Sequence, residues 1–290
     1  MTTHRLVREA VTRQVAACVP FASVRFDDEW ITIGAVVRQR PAIVTLWDAL
    51  LLNGRCPGPA RLVLPLGGPD LEIRADVAAD EGLDVTGRIG LACDGMRALA
   101  AAAAADPVHA AGTSGAPAVV AADDVLRAAS SEPAGAQDAR ASGDPDLASI
   151  AVEAEWPFVL RSPQRIAVDL ETPGQFQQAI VEPGAGGLRA RATLVVARSL
   201  PARSRAAVSV LLLAVASLVR LVRGGVVEHD GEATIFIEVN LCADLDAAEL
   251  HHALSALAVA CRLAGREARA LLDEEVARAY LAARGWAASS

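Results

Sequence analysis

The chain repeats its own hydrophobic pattern. Residues Leu46 to Gly54 read as a helix, Ala60 to Leu64 and Leu71 to Val77 as strands of a hairpin around Gly67 and Gly68, and a helical pattern then runs through Leu99. About 165 residues later the same order returns in different letters, with Leu211 to Val219 and a stop at Gly224 and Gly225. Val226 to Glu228, an Asp230-Gly231 turn, Thr234 to Leu241 and a helix through Arg262 complete the second copy. Helix, hairpin, helix in both halves predicts an α+β fold of two tandem units, each an antiparallel sheet packed by helices. Two such units in one chain predict an intramolecular pseudo-dimer. The boundaries fall at 1–105 for a degenerate first unit, 106–144 for a linker and 145–290 for a clearer second unit.

At 290 residues the chain has room for two domains of about 100 to 150 residues each. Only 3% of residues are aromatic, so the cores must be built from Ala, Val, Leu and Ile. All 27 basic residues are arginine. The absence of lysine excludes Schiff-base chemistry on lysine and a phosphate-binding loop of the Walker type. Residues 1–100 carry 11 Arg against 12 acids, 101–155 carry 2 against 9, and 156–290 carry 14 against 14. The middle segment therefore holds almost all of the net charge of −8, and neither half has the cation excess that nucleic acid requires.

Local signals place the remaining elements. An amphipathic helix with Leu6, Val7, Ala10 and Cys18 on one side closes at Pro20, and a hairpin joins 23–26 to 30–36 across Asp27 and Asp28. Pro41 is expected to open the next helix and Gly54 to end it in the left-handed conformation. Residues 106–144, rich in Ala, Pro, Gly, Ser and Asp, read as an acidic linker. In the second half a helix from Pro145 precedes three strands, around Ile166 to Leu170, Phe176 to Val181 and Leu188 to Val196. Ala206 to Val222 is nearly all apolar, yet it is short for a bilayer span and carries Ser209, Ser217 and Arg220, so a buried helix is expected. Asp230-Gly231 is a strong hairpin signal, Asp246 with Glu249 makes a capping box, and a last helix is expected to break near Gly265.

Candidate chemistry reduces to structural roles. His251 and His252 point about 100° apart on a helix and cannot chelate one ion as an i, i+4 pair does. Asp244 and Asp246 precede a helix and read as caps, and Asp27, Asp28 and Glu29 as a solvated turn. Gly112 to Ala116 lacks the second glycine of a nucleophile elbow, and Gly184 to Gly187 joins two strands, where a dinucleotide fingerprint must open a helix. Cys18, Cys56, Cys93, Cys242 and Cys261 show no metal-ligand spacing and read as small hydrophobes. No catalytic, cofactor-binding or metal-binding residue is expected. The start of the chain has no apolar signal core, so a cytoplasmic address is expected.

A helix, an antiparallel run, a buried helix, an Asp-Gly hairpin and a closing amphipathic helix resemble the type III secretion chaperone-like fold, including YbjN-type bacterial proteins. The resemblance rests on Ala206 to Gly225, Thr234 to Leu241 and Leu245 to Ala258, and is fainter in the first half. It implies a non-catalytic protein that holds a segment of a protein or peptide partner, with no cofactor and neither nucleic acid nor membrane as target. Trp30, Trp156, Phe158 and Phe176 are the expected partner-binding residues, because large aromatics are scarce here and enriched at hot spots. The competing expectation is an enzyme or a binder of a small anionic ligand between the halves, using Arg189, Arg191 and Arg198.

Overall fold

The computed structural model describes residues 2–27, 30–39, 41–42, 45–56, 58–79, 84–104, 147–172, 175–184, 187–242 and 245–286. The proposed linker, Pro145, the Gly112 to Ala116 segment, Asp28, Glu29 and Asp244 lie outside these residues. The fold is α+β, with two antiparallel sheets.

The first half runs α1 (Thr2–Cys18), β1 (Ser23–Phe26), β2 (Trp30–Arg38), α2 (Thr45–Arg55), β3 (Arg61–Val63), β4 (Leu71–Ala78) and α3 (Val85–Ala104). Its strands order as β1-β2-β4-β3. The second half runs α4 (Leu147–Glu153), β5 (Phe158–Ser162), β6 (Arg165–Thr172), β7 (Gln175–Gly184), β8 (Gly187–Arg198), α5 (Ala202–Leu218), β9 (Val222–His229), β10 (Glu232–Cys242), α6 (Ala247–Ala270) and α7 (Glu274–Ala283). Its sheet orders as β5-β6-β7-β8-β10-β9. The block β1-β2-α2-β3-β4-α3 thus has the same connectivity and strand order as β7-β8-α5-β9-β10-α6, with β5 and β6 added at the far side of the second sheet.

Each sheet turns an alternate row of Ile, Leu, Val and Ala to its helices. Ile31, Ile33, Ile73 and Ala75 are buried in the first half, and Leu188, Ala190, Ala192, Ile235 and Ile237 in the second. One continuous cluster of buried apolar side chains joins both halves, from Val11 to Leu281. Helix α5 lies within it and is apolar on most of its circumference, with 12 of its 17 residues buried.

Several sequence expectations are corrected. Helix α2 begins at Thr45, not Pro41. Gly54 sits inside that helix and ends nothing: a Cβ there would lie 2.5 Å from the Val226 carbonyl oxygen. Gly224 and Gly225 do not stop α5, which ends at Leu218, but lie within β9. Strand alternation turns the two glycines to opposite sides. A Cβ on Gly224 would lie 2.6 Å from Cβ of Leu212 in α5, and one on Gly225 would lie 2.7 Å from the Phe236 ring and 3.1 Å from Cα of Gly54. Periodicity alone cannot distinguish a glycine that ends a helix from one that lets two elements approach. Four strands, not three, precede α5, because exposed β5 carries no alternating burial to announce it. Helix α6 passes unbroken through Gly265, and the break falls at Leu271 to Asp273, where Asp273 caps α7. The Asp230-Gly231 turn forms as expected, both residues having positive φ, at 49° and 75°.

Gly225→Ala is expected to lower the unfolding free energy by about 1–3 kcal/mol, the usual cost of overpacking. Gly90→Ala, in open space within α3, should raise it by roughly 0.5–1 kcal/mol. Urea denaturation midpoints of the two variants check both signs.

Candidate functional site

The most chemically specified region among the described residues is the junction of the two halves, where edge strands β3 and β9 meet under α2. Asn53, fully buried on α2, donates from Nδ2 to the carbonyls of Leu62 on β3 and Gly224 on β9, each at 3.0 Å. Its Oδ1 accepts from the Leu62 amide at 2.7 Å. One side chain thus satisfies backbone groups on the inner edges of both sheets, which would otherwise be buried without partners. The Leu64 amide beyond β3 donates to the Leu213 carbonyl of α5 at 3.1 Å.

Two buried arginine–carboxylate pairs act reciprocally across this junction. Arg61 on β3 pairs with Asp76 on β4 at 2.5 Å and turns Nε toward the Ala216 carbonyl in the last turn of α5, at 3.4 Å. Arg74 adds a bond to the Ser217 carbonyl at 3.0 Å. Arg223 on β9 pairs with Glu238 on β10, Nε to Oε1 at 2.6 Å, and reaches the Gly58 carbonyl just after α2 at 3.4 Å. Asn240 donates to the same carbonyl at 3.0 Å. Each half therefore sends an arginine from its edge strand to a backbone carbonyl of the other half: Arg61 to the last turn of α5, where positive charge is favoured, and Arg223 to the loop after α2. Asp76 also accepts from the Leu221 amide at 3.2 Å. That residue holds φ 66°, a left-handed conformation costly for leucine, at the turn from α5 into β9. Burial alone would raise the Asp76 pKa, but Arg61, Thr32 and the Leu221 amide outweigh it and hold the carboxyl below its usual range.

Trp30 is 7% exposed and faces the other half: its ring centroid lies 5.0 Å from that of His252 on α6, and the Arg220 guanidinium lies 5.5 Å from it. Arg220 also pairs with Asp27 beside it. Trp156 is half-buried 5.9 Å from the His251 ring, and His251 Nδ1 lies 2.9 Å from the Ala154 carbonyl. The adjacent histidines are exposed, yet each packs on a tryptophan, one from each half. Phe158 is half-buried on β5. The Phe176 backbone pairs with Glu171, and its side chain lies outside the described residues. The structure therefore does not gather the four predicted aromatics into one groove. Buried Trp47 of α2 donates from Nε1 to Glu228 across the junction at 3.0 Å.

Arg189, Arg191 and Arg198 do not converge on a cleft. They pair with Glu182, Glu238 and Glu232 respectively, and Arg191 stacks 3.7 Å from the centre of the Phe236 ring. Glu249, expected to complete a capping box, sends its carboxylate to Arg88 of α3 in a two-point pair at 2.9 and 3.0 Å, while Asp246 caps α6. A groove of about 360 Å³ opens beside the junction, lined by Pro65, Leu66 and Pro69 of the β3–β4 turn, Val210 of α5, and Arg284 and Trp286 after α7. Among the described residues no group of His, Cys, Asp and Glu could hold a metal ion. Burial pushes the Cys93 thiol up to about 11, with Cys18 beside it, and the Cys261 thiol up to about 12, so neither is a thiolate near neutral pH. No helix among the described residues is long and apolar enough to cross a membrane.

Comparison with protein-family models, curated proteins and solved structures finds no match to this chain.

Sequence reasoning missed Asn53, Arg61, Asp76 and Trp286. The available signal was a polar residue inside an apolar run, as with Asn53 before Gly54 or Arg61 between Ala60 and Leu62. Such residues carry meaning only when the element facing them is known.

Asp76→Asn leaves Arg61 buried without its counter-charge and should cost about 3–5 kcal/mol at neutral pH. A depressed folded pKa gives stability that is complete above the unfolded carboxyl value of about 3.9 and is lost as pH falls through the folded value. The stability gap between wild type and Asp76→Asn should therefore shrink below about pH 4, as chemical denaturation across a pH series would show.

Proposed function

We propose that this chain is a non-catalytic, partner-binding protein of the type III secretion chaperone-like kind, a chaperone or adaptor whose two tandem units pair within one chain and hold a segment of a protein partner. The observation that carries the reading is the reciprocal junction. α2 packs on β9 while α5 packs on β3, and Arg61 and Arg223 each reach a backbone carbonyl of the other half. Contacts exchanged in this way are the mark of a two-fold, self-complementary interface. The shared connectivity of the two ββαββα blocks supports the same reading.

The partner surface is the apolar groove beside Trp286, with Trp156 and Phe158 as further apolar contacts at the start of the second unit. Trp30 serves the pairing of the units. Among the described residues the groove's lining has one charged side chain, Arg284, and the three arginines suited to an anionic ligand each lie beside a carboxylate and do not converge. Both facts favour a peptide-like occupant over a small anion.

Two experiments test the proposal. Residues 1–104 and 145–290, produced separately and mixed, should form a 1:1 complex by size-exclusion chromatography with light scattering. Two stable monomers without mutual affinity would refute the pairing. Affinity capture on the full chain should retain a protein that Trp286→Ala loses, whereas recovery of a small metabolite in its place would favour the anionic-ligand reading.

A further inference from the structure

Cys18 and Cys93 face each other across the seam between α1 and α3. The two helices approach to Cα separations of 8 Å or less, and Gln14 of α1 donates to the Thr86 carbonyl of α3 at 3.1 Å. Helical period carries this contact along the seam: Cys18 lies one turn beyond Gln14 and Cys93 two turns beyond Thr86, so each thiol shares the face of the residue that makes the bond. The thiols are hydrogen-bonded to one another. A disulfide requires Cα atoms closer than about 7 Å and side chains turned toward each other. The hydrogen bond meets the second condition, and the helix seam brings the first within reach.

The two cysteines differ in access, and the difference orders the chemistry. Cys18, the last residue of α1, is half-buried, whereas Cys93, in the middle of α3, is fully buried. An oxidant arriving from solvent therefore meets Cys18 first. The Arg97 guanidinium, one turn beyond Cys93, acts on both sulfurs and also pairs with Asp94. Positive charge there favours negative charge on sulfur, the form that attacks a peroxide. Cys261, by contrast, feels burial alone.

We propose that Cys18 and Cys93 form an oxidative modification site, at which hydrogen peroxide converts the thiol pair into a disulfide that fastens α1 to α3. The Cys18 thiolate attacks one peroxide oxygen and the O–O bond breaks, leaving a sulfenic acid on Cys18 and a hydroxide that takes up the proton the thiol lost. The Cys93 sulfur then attacks the Cys18 sulfur, the S–O bond breaks, and the Cys93 proton leaves with that oxygen as a second water. The thiol pair loses two electrons and the peroxide gains them. The closed loop, 18–93, contains all four strands of the first sheet, so the bond restricts unfolding of the first unit.

Peptide mapping of the full chain by mass spectrometry, after treatment with hydrogen peroxide and alkylation without reduction, tests the proposal. Peptides joined through Cys18 and Cys93 are expected, and dithiothreitol should separate them. The thermal midpoint of the oxidised chain should exceed that of the reduced chain by roughly 5 °C or more. Cys18→Ser should abolish both the link and the rise, with circular dichroism establishing that the variant folds. An unreacted pair, a sulfenic or sulfinic acid that accumulates on Cys18 while Cys93 stays reduced, or a disulfide through another cysteine overturns the proposal. A bond between Cys18 and Cys93 that leaves the midpoint unmoved refutes the fastening of α1. If Cys18→Ser fails to fold, the map and midpoint of the unmutated chain decide alone.

Discussion

The fold depends on how two sheet edges are closed against each other. β3 and β9 are edge strands buried at the centre of the molecule, where an unpaired backbone amide or carbonyl carries its full desolvation cost of about 1–3 kcal/mol. The strands do not pair as a ladder, so the burden passes to side chains. Asn53 takes three of these bonds, and its placement on α2 requires that helix to lie almost in contact with β9. Gly54 and Gly225 make the approach sterically feasible, since a side chain on either would meet the facing backbone or the Phe236 ring. The polar clamp and the glycine pair are one device, because neither works at the larger separation that the other's absence would impose.

The buried ion pairs extend this arrangement. Arg61 with Asp76 and Arg223 with Glu238 take charge out of water, and such pairs contribute more to specificity than to net stability. Here each pair holds an arginine on an edge strand where it meets a backbone carbonyl of the other half, in the last turn of α5 for Arg61 and in the loop after α2 for Arg223. A shifted register would leave a buried guanidinium without acceptors. Asp76 also anchors the left-handed Leu221, so the turn leading from α5 into β9 is stabilised by a residue of the first half. These couplings tie each half to the other, and they leave the groove beside Trp286 as an outward-facing apolar surface.

Much of the architecture was legible in the sequence because it rests on local rules. Alternation in Thr234 to Leu241, the Asp-Gly turn and the Asp246 cap each reflect backbone geometry acting over a few residues. The buried helix expected over Ala206 to Val222, and found over 202–218, was recognisable because no polar face exists for water. Where the reading failed, the missing information was a distant neighbour. Gly54 and Gly224 resembled helix terminators, Trp30 resembled an exposed anchor, and Arg189 and Arg191 resembled ligand-binding cations until Glu182 and Glu238 stood beside them.

The sequence by itself determined most of the elements, β5 excepted, their order in each half and the apolar face of each sheet, because hydrophobic period, turn chemistry and capping act within a few residues of chain. Only the tertiary structure decided which polar residues meet: Asn53 with β9, Arg61 with α5, Arg88 with Glu249 and Trp47 with Glu228. These partners lie between 155 and 181 residues apart in the chain. No local rule links residues so far apart, and it is the cost of burying an unpaired polar group that selects a mutual placement of the two halves in which these four residues find their partners.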